Sequence, residues 1–285
     1  MKQRQLGPRS VSAIGLGGMP MSIEGRPDEE RSLATIHAAL DAGVTLIDTA
    51  DAYHLLAGEV GHNERLIAKA LKEYGSGASD VVVATKGGHL RPGDGSWTQD
   101  GSPAHLLEAG RASAERLGAP IGLYYYHRPD PNVPYEDSIG ALQQLLDEGT
   151  IELAGVSNAS VEQIDIARSI LGDKLVAVQN QFSPRFRSSL AELRHCADLG
   201  IAFLPWSPLG GIRSAGELGG KHEAFQEVAE SHGVSPQQVA LAWELAQSPV
   251  VIPIPGSSRP ETILDSLEAV NLSLSEEELA FLSDH

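Results

Sequence analysis

The chain carries one cysteine, Cys196, in 285 residues. A lone thiol can neither close an internal disulfide nor build a multi-thiolate metal site, so the fold is expected to stand without covalent staples in a reducing compartment. Basic side chains are also scarce: 21 Lys and Arg against 38 Asp and Glu leave a formal net charge of −17 at pH 7. That field opposes non-specific nucleic-acid binding, and an anionic ligand would need a local basic pocket. No stretch approaches the roughly 18 consecutive apolar residues that cross a bilayer, and the opening MKQRQLGPRSVS lacks the apolar centre of a signal peptide, so no membrane partner and a cytoplasmic location are expected. The ten histidines never form HxxxH or HxH spacing with carboxylates, which argues against a metal. Also missing is a GxGxxG fingerprint after the first strand, since Gly15-Leu16-Gly17-Gly18 fails at spacing; an open doubly wound dinucleotide fold is therefore disfavoured.

What is present is a repeating alternation. Short β-rich runs fall at Ala13–Gly17, Thr45–Thr49, Val81–Lys86, Leu123–His127, Leu153–Ser157, Leu175–Gln179, Ala202–Trp206 and Val250–Ile254. Most segments between them have helical periodicity, such as Arg31–Ala42 with Leu33, Ile36, Ala39 and Leu40, and Glu64–Tyr74 with Leu66, Ile67, Ala70 and Leu71. The strands are nearly all apolar, as in a parallel sheet buried on both faces, and Gly43, Gly149 and Gly200 end helices just before the next strand. Eight such units without a linker or a composition shift predict an α/β protein, a single (β/α)₈ TIM barrel over residues 1–285. Gln3–Ser12, with Gly7-Pro8 at its centre, predicts an N-terminal β-hairpin capping one end of the barrel, its bottom. Hydrophobic residues at 41% and charged residues at 21% are ordinary globular values.

Barrel enzymes build their sites at the C-terminal ends of the strands. Here the endings include Gly17-Gly18-Met19, Asp48, Lys86, His127, Ser157-Asn158, Gln179-Asn180, Trp206-Ser207 and Pro255-Gly256-Ser257. Asp48, Lys86 and His127 emerge directly from the apolar runs LIDTA, VVVATK and LYYYH. A buried Asp48 or Lys86 alone would be costly, whereas an opposed pair can hold each other charged. For any one of these residues a structural role serves equally well; the three together, with Tyr53 five residues beyond Asp48, are hard to explain as packing. A tyrosine hydroxyl, which normally titrates near 10, becomes a usable proton donor and acceptor when an ammonium beside it stabilises the phenolate. A carboxylate can orient that lysine, and a neutral histidine can share charge developing on a carbonyl oxygen. Such a site suits reversible reduction of a carbonyl, and since the protein has no hydride of its own, a cofactor is required.

These residues sit in a wider pattern. Gly43-Val-Thr-Leu-Ile-Asp48-Thr-Ala-Asp-Ala-Tyr53, Gly61-His-Asn63-Glu64 and the strand-closing Lys86 resemble the aldo-keto reductase superfamily. So do Glu148-Gly149 through Gly155-Val-Ser157-Asn158, Val178-Gln179-Asn180-Gln181, Pro205-Trp206-Ser207-Pro208-Leu209-Gly210 and Pro253-Ile254-Pro255-Gly256-Ser257, in order along nearly the whole chain. The resemblance implies an NADPH-dependent oxidoreductase that reduces an aldehyde or ketone. Tyr53 would be the general acid, Lys86 and Asp48 would tune it, and His127 would position the carbonyl. It implies that NADPH lies across the barrel mouth, with Ser157, Asn158 and Gln179 at the nicotinamide carboxamide and Trp206 pressed on the ring, although plain core packing also explains a tryptophan there. Ser207, Leu209 and Gly210 would lie over the pyrophosphate; Gly18, Met19, Ile254, Gly256 and Asp265 complete the expected cofactor set.

Ser257-Ser258-Arg259-Pro260 reads as capping serines before a proline in the first helical turn, a helix N-terminus suited to a 2′-phosphate with Arg259 supplying charge. Many superfamily members carry Lys or Arg where Gly256 stands, and NADH is the alternative cofactor. The turn-rich stretch Gly87–Pro103 is expected to overhang the pocket and could place Trp97 on substrate, a plain surface loop being the competing reading. Arg128-Pro-Asp-Pro-Asn-Val-Pro134 is a stiff loop expected to form another pocket wall. After Pro260 one helix and a short acidic tail are expected, leaving an open pocket. Two other classes compete: an NADPH-binding redox sensor with little turnover, which has no chemical need for all four of Asp48, Tyr53, Lys86 and His127, and an unrelated barrel lyase or isomerase using Lys86 as a Schiff base.

Overall fold

The computed structural model describes residues 1–211 and 223–284. Strands β1 (Gln3–Leu6) and β2 (Arg9–Ser12) form the expected antiparallel hairpin. Its turn needs glycine twice over: Gly7 has φ +56°, and a Cβ there would fall 2.4 Å from Val176 Cγ1. Leu6 and Val11 bury against Leu46, Val82, Leu123, Leu153 and Val176, which lie at or beside the first residues of their strands. The hairpin therefore plugs the N-terminal end of the barrel and leaves the C-terminal end open.

Seven parallel strands run side by side in the barrel wall. The first three are β3 (Leu16–Gly17), β4 (Leu46–Asp48) and β5 (Val82–Gly87). A small hairpin, β6 (His89–Leu90) and β7 (Thr98–Gln99), branches off before the wall continues with β8 (Leu123–Tyr126), β9 (Ala154–Ser157), β10 (Leu175–Gln179) and β11 (Ala202–Phe203). The eighth expected strand is not a regular one, because Pro253 and Pro255 have no N–H to donate. The segment still closes the barrel through its carbonyls. Gly15 N–H and Gly17 N–H donate to Pro253 O and Pro255 O at 2.9 Å, and on the other side Ile252 N–H donates to Phe203 O at 2.9 Å.

Around this wall lie α1 (Glu29–Asp41), α2 (His62–Tyr74), α3 (Pro103–Leu117), α4 (Tyr135–Asp147), α5 (Val161–Leu171), α6 (Leu190–Leu199), α7 (Glu223–His232), α8 (Pro236–Gln247), α9 (Pro260–Glu268) and α10 (Glu276–Asp284). Local chemistry marks their starts. Asp28 Oδ1 accepts Arg31 N–H at 2.8 Å, so α1 begins at Glu29, two residues before the expected Arg31, and Ser160 with Gln163 forms a reciprocal capping box on α5. The apolar stripes, Ile36, Ala39 and Leu40 on α1 and Leu66, Ile67 and Ala70 on α2, bury against the outer face of the strands. Each fully buried Leu or Ile contributes about 1.5–3 kcal/mol.

Two expectations need correction. The chain after Pro260 forms two helices rather than one helix and a tail: Glu276–Glu278 place carboxylates on the first turn of α10, Leu282 is buried, and Trp243 Nε1–H donates to Ser283 Oγ at 3.0 Å. His285 lies outside the described residues. Neither serine before Pro260 caps α9 directly. Its N-cap is Arg259, in extended conformation, with Ser257 Oγ accepting Arg259 N–H at 3.3 Å.

Candidate active site

Register brings the ionisable residues together. Asp48 pairs with Ala84 across β4 and β5, so Lys86, two residues further along β5, projects on the same barrel-interior side at the C-terminal end. Lys86 Nζ donates to Asp48 Oδ1 at 2.5 Å, to Thr49 O at 2.7 Å and to Tyr53 Oη at 3.2 Å. Asp48 Oδ2 accepts Gln179 Nε2–H at 2.8 Å from across the barrel. Asp48, Tyr53, Lys86 and His127 are all buried, and the His127 ring meets Tyr53 edge-on at a centroid separation of 5.9 Å.

Burial sets the protonation states. It would lower the Lys86 pKa, but Asp48 and Tyr53 outweigh it and hold the ammonium above its ordinary value. Burial also raises Tyr53, and Lys86 only partly opposes this, so in the free site the residue is a protonated phenol rather than a phenolate. His127 is pushed well below its ordinary value by burial, then by Lys86, His89 and Arg128, and is a neutral imidazole. Asp51, whose N–H donates to Lys86 O at 3.3 Å, is raised to about 8 by burial and by Glu64, and among the described residues its Oδ1 has no partner.

The pocket above these groups holds about 970 Å³ of free space, its open mouth included. It is lined by Gly17, Met19, Pro20, Asp48, Tyr53, His89, Trp97, His127, Arg128, Ser157, Asn158, Gln179, Trp206, Ser207, Pro208, Leu209, Gly211, Ile254, Pro255 and Gly256. Most of the residues expected from sequence thus converge. Lys86, fully buried beneath Tyr53, and Gly18, Gly210, Ser257, Arg259 and Asp265 stand outside the lining. A Cβ on Gly18 would fall 2.5 Å from Asn63 Oδ1, so it packs beneath the floor; Gly210 turns the loop with φ +81°. Arg259 is exposed at the start of α9, and Asp265 accepts from Ser235 Oγ and Gln238 Nε2 at 2.7 Å, tying α9 to α8.

The wall opposite Tyr53 is built from amides and an indole. Asn158, with φ +56°, donates from Nδ2 to His127 O and Ser157 Oγ at 3.0 Å, and its Oδ1 accepts Trp206 Nε1–H at 3.2 Å. The Gly87–Pro103 stretch folds back through the β6–β7 hairpin. That places Trp97 in the pocket wall, stacked on His89 at 4.8 Å, with the Arg91 guanidinium 4.9 Å from its ring. His54 turns its Nδ1 to Leu56 O at 2.8 Å. Cys196 is buried on α6 with its thiol pushed up to about 12, an inert core residue. Among the described residues there is no His, Cys, Asp or Glu cluster fit for a metal ion, and no helix is long and apolar enough to cross a membrane.

His89, Arg128 and Pro20 were not singled out as site residues from sequence. Arg128 carried a usable signal, its place directly after His127 in a loop expected to wall the pocket. His89 carried none, since a two-residue strand has no readable periodicity.

A barrel with a hydrogen-bonded Lys86–Asp48–Tyr53 cluster and a neutral histidine buried at its open end suits an oxidoreductase acting on carbonyl groups. Comparison with known proteins agrees. Residues 13–285 match the model of the aldo/keto reductase family, and the chain belongs to that family, whose members are NAD(P)H-dependent oxidoreductases. It is 33% identical to an uncharacterized oxidoreductase of Schizosaccharomyces pombe, over 98% of this chain and 88% of that one. It is also 33% identical to pyridoxine 4-dehydrogenase of Escherichia coli, over 97% and 96% of the two chains. An aldo/keto reductase from Klebsiella pneumoniae, solved with NADP and acetate, superposes with a TM-score of 0.83 at 25% identity, over 99% of this chain and 94% of that one.

Proposed function

We propose that this chain, acting as one cytoplasmic domain, reduces an aldehyde or ketone to the alcohol with NADPH, and that Tyr53 is the general acid. The observation that carries this reading is Lys86 Nζ 3.2 Å from Tyr53 Oη while anchored on Asp48 at 2.5 Å.

The pocket fits a nicotinamide: the Trp206 indole offers a flat wall, amide and hydroxyl groups of Gln179 and Ser157 stand beside it, and Gly17 lets the closing segment pack tightly at the pocket edge. A Cβ on Gly17 would fall 2.8 Å from Ile254 O, which glycine alone avoids. Ser207, Leu209 and Gly256 continue the lining toward α9, whose N-terminal N–H groups and Arg259 suit an adenosine 2′-phosphate. When bound, the nicotinamide supplies the hydride. The chain's own residues manage the proton: the Tyr53 hydroxyl gives its proton to the substrate oxygen, the Lys86 ammonium stabilises the phenolate left behind, and Asp48 holds that ammonium in place. Neutral His127 donates a hydrogen bond to the same oxygen, while Trp97 and His89 shield the pocket. A Schiff-base role for Lys86 fits poorly, because its charged amine is committed to three acceptors.

The test is Tyr53→Phe. Carbonyl-dependent NADPH oxidation should fall by at least a thousandfold while NADPH still quenches tryptophan fluorescence with unchanged affinity. Turnover surviving within tenfold would remove Tyr53 from the proposed role, and absence of saturable nucleotide binding by the wild type would remove the reductase reading itself.

A further inference from the structure

Among the described residues, the pocket wall beside His127 carries a cation, Arg128, that no carboxylate answers. Of the ionisable side chains in the lining, Asp48 is neutralised by Lys86 at 2.5 Å. Nearby Arg91 is committed as well, to Glu24 and to His54 O. Arg128 differs: it lines the pocket, is only half-buried, and its hydrogen bond is a long 3.4 Å contact from Nη2 to Asn158 Oδ1, an oxygen already taken by Trp206. Among the described residues no carboxylate pairs with it. The loop that carries it is braced at its base, with Tyr126 Oη accepting Asp130 N–H at 2.8 Å and Asp130 Oδ2 accepting Gly101 N–H at 3.0 Å. The guanidinium is therefore presented from a fixed root beside His127, and His89 faces the same space edge-on to His127 at 4.9 Å.

In a protein of net charge −17, a partly desolvated arginine in the pocket wall next to His127, with no carboxylate partner among the described residues, is conspicuous. A guanidinium presents a planar fork of donors that matches a carboxylate in two parallel hydrogen bonds. We infer that Arg128 is a specificity residue that selects carbonyl substrates bearing a carboxylate near the reacting carbon. The inference rests on the reductase reading above and names the substrate class for that same site. The long-range field of the protein repels such a substrate, so recognition must come from this local contact; the rate of capture should then rise with ionic strength, opposite to the behaviour of a basic protein.

The experiment is calorimetric titration of benzoate, and separately of the isosteric neutral benzamide, into protein saturated with NADP⁺. Benzoate should bind at least tenfold more tightly than benzamide; Arg128→Met should abolish the preference and Arg128→Lys should keep part of it. In turnover, the ratio of kcat/KM for phenylglyoxylate, whose carboxylate adjoins the reacting ketone, to that for its methyl ester should fall at least tenfold in Arg128→Met. Equal binding of the two probes, no binding of benzoate, or a preference that survives Arg128→Met would overturn the inference while leaving the reductase reading intact. A loss of NADP⁺ affinity in Arg128→Met as large as the loss of benzoate affinity would assign the arginine to the cofactor instead. Failure of the wild type to bind NADP⁺ at all would count against the underlying reading.

Discussion

Replacing Lys86 with methionine separates what the buried ion pair does for the fold from what it does for chemistry. Methionine fills the aliphatic volume but removes the cation, leaving Asp48 buried with only the Gln179 hydrogen bond, and Thr49 O and Tyr53 Oη without their donor. Breaking a buried pair from one side costs about 3–5 kcal/mol. For a chain of this size each kcal/mol moves Tm by roughly 2 °C, so Lys86→Met should melt about 6–10 °C below the wild type. Neutralising the abandoned partner should return much of that: Asp48→Asn combined with Lys86→Met removes the unpaired charge, and the amide oxygen so introduced can still accept from Gln179. The double variant is therefore expected to melt several degrees above Lys86→Met, a coupling of about 2–3 kcal/mol in a double-mutant cycle. Turnover should not return, because Tyr53 still lacks the ammonium that stabilises its phenolate. Differential scanning calorimetry and initial-rate NADPH oxidation on the four proteins of the cycle read the two effects separately. A double variant no more stable than Lys86→Met would refute the ion-pair account of stability, and turnover recovering with stability would refute the account of proton transfer.

Two further outcomes follow from the same geometry. Arg259→Ala should weaken NADPH binding at least tenfold and NADH binding little, measured by fluorescence titration; equal losses would place the 2′-phosphate elsewhere. Asp51 is a pH-sensitive group next to the site: with a folded pKa of about 8 against about 3.9 unfolded, the folded protein keeps a proton that the unfolded chain releases between those values. The folded state binds more protons there, so this group's contribution to stability declines as pH rises from about 4 to 8 and levels off above. Asp51→Asn should accordingly raise Tm more at pH 8 than at pH 4.5, by a difference worth a few kcal/mol, and equal shifts at both pH values would show that Asp51 is already ionised in the folded protein.

The Tyr53 reading carries a direction as well. Burial outweighs Lys86 and keeps the phenol protonated, the state in which the proposed general acid has a proton to give. The sequence-level expectation, a tyrosine eased toward neutrality by its lysine, identified the right neighbour and underweighted the desolvation that three-dimensional burial imposes. Burial is a sum over the whole barrel and cannot be weighed from residues five apart in the chain.

The amino-acid sequence by itself determined the strand and helix alternation, the hairpin around Gly7, and the ends of strands that present Asp48, Lys86, His127, Ser157 and Gln179, because side-chain alternation, apolar runs and capping residues are local properties of a chain. Tertiary structure decided everything that depends on convergence. Closure by the proline-interrupted segment before Gly256 rests on carbonyls accepting from β3 and on an Ile252 bond to β11, and the folding of the acidic tail onto Trp243 rests on an apolar face that α8 supplies. The meeting of Arg128, His89 and Trp97 over His127 likewise joins loops that are distant in sequence. Strand tilt, register and loop path set those distances, and they arise only when the sheet is bent through a full turn.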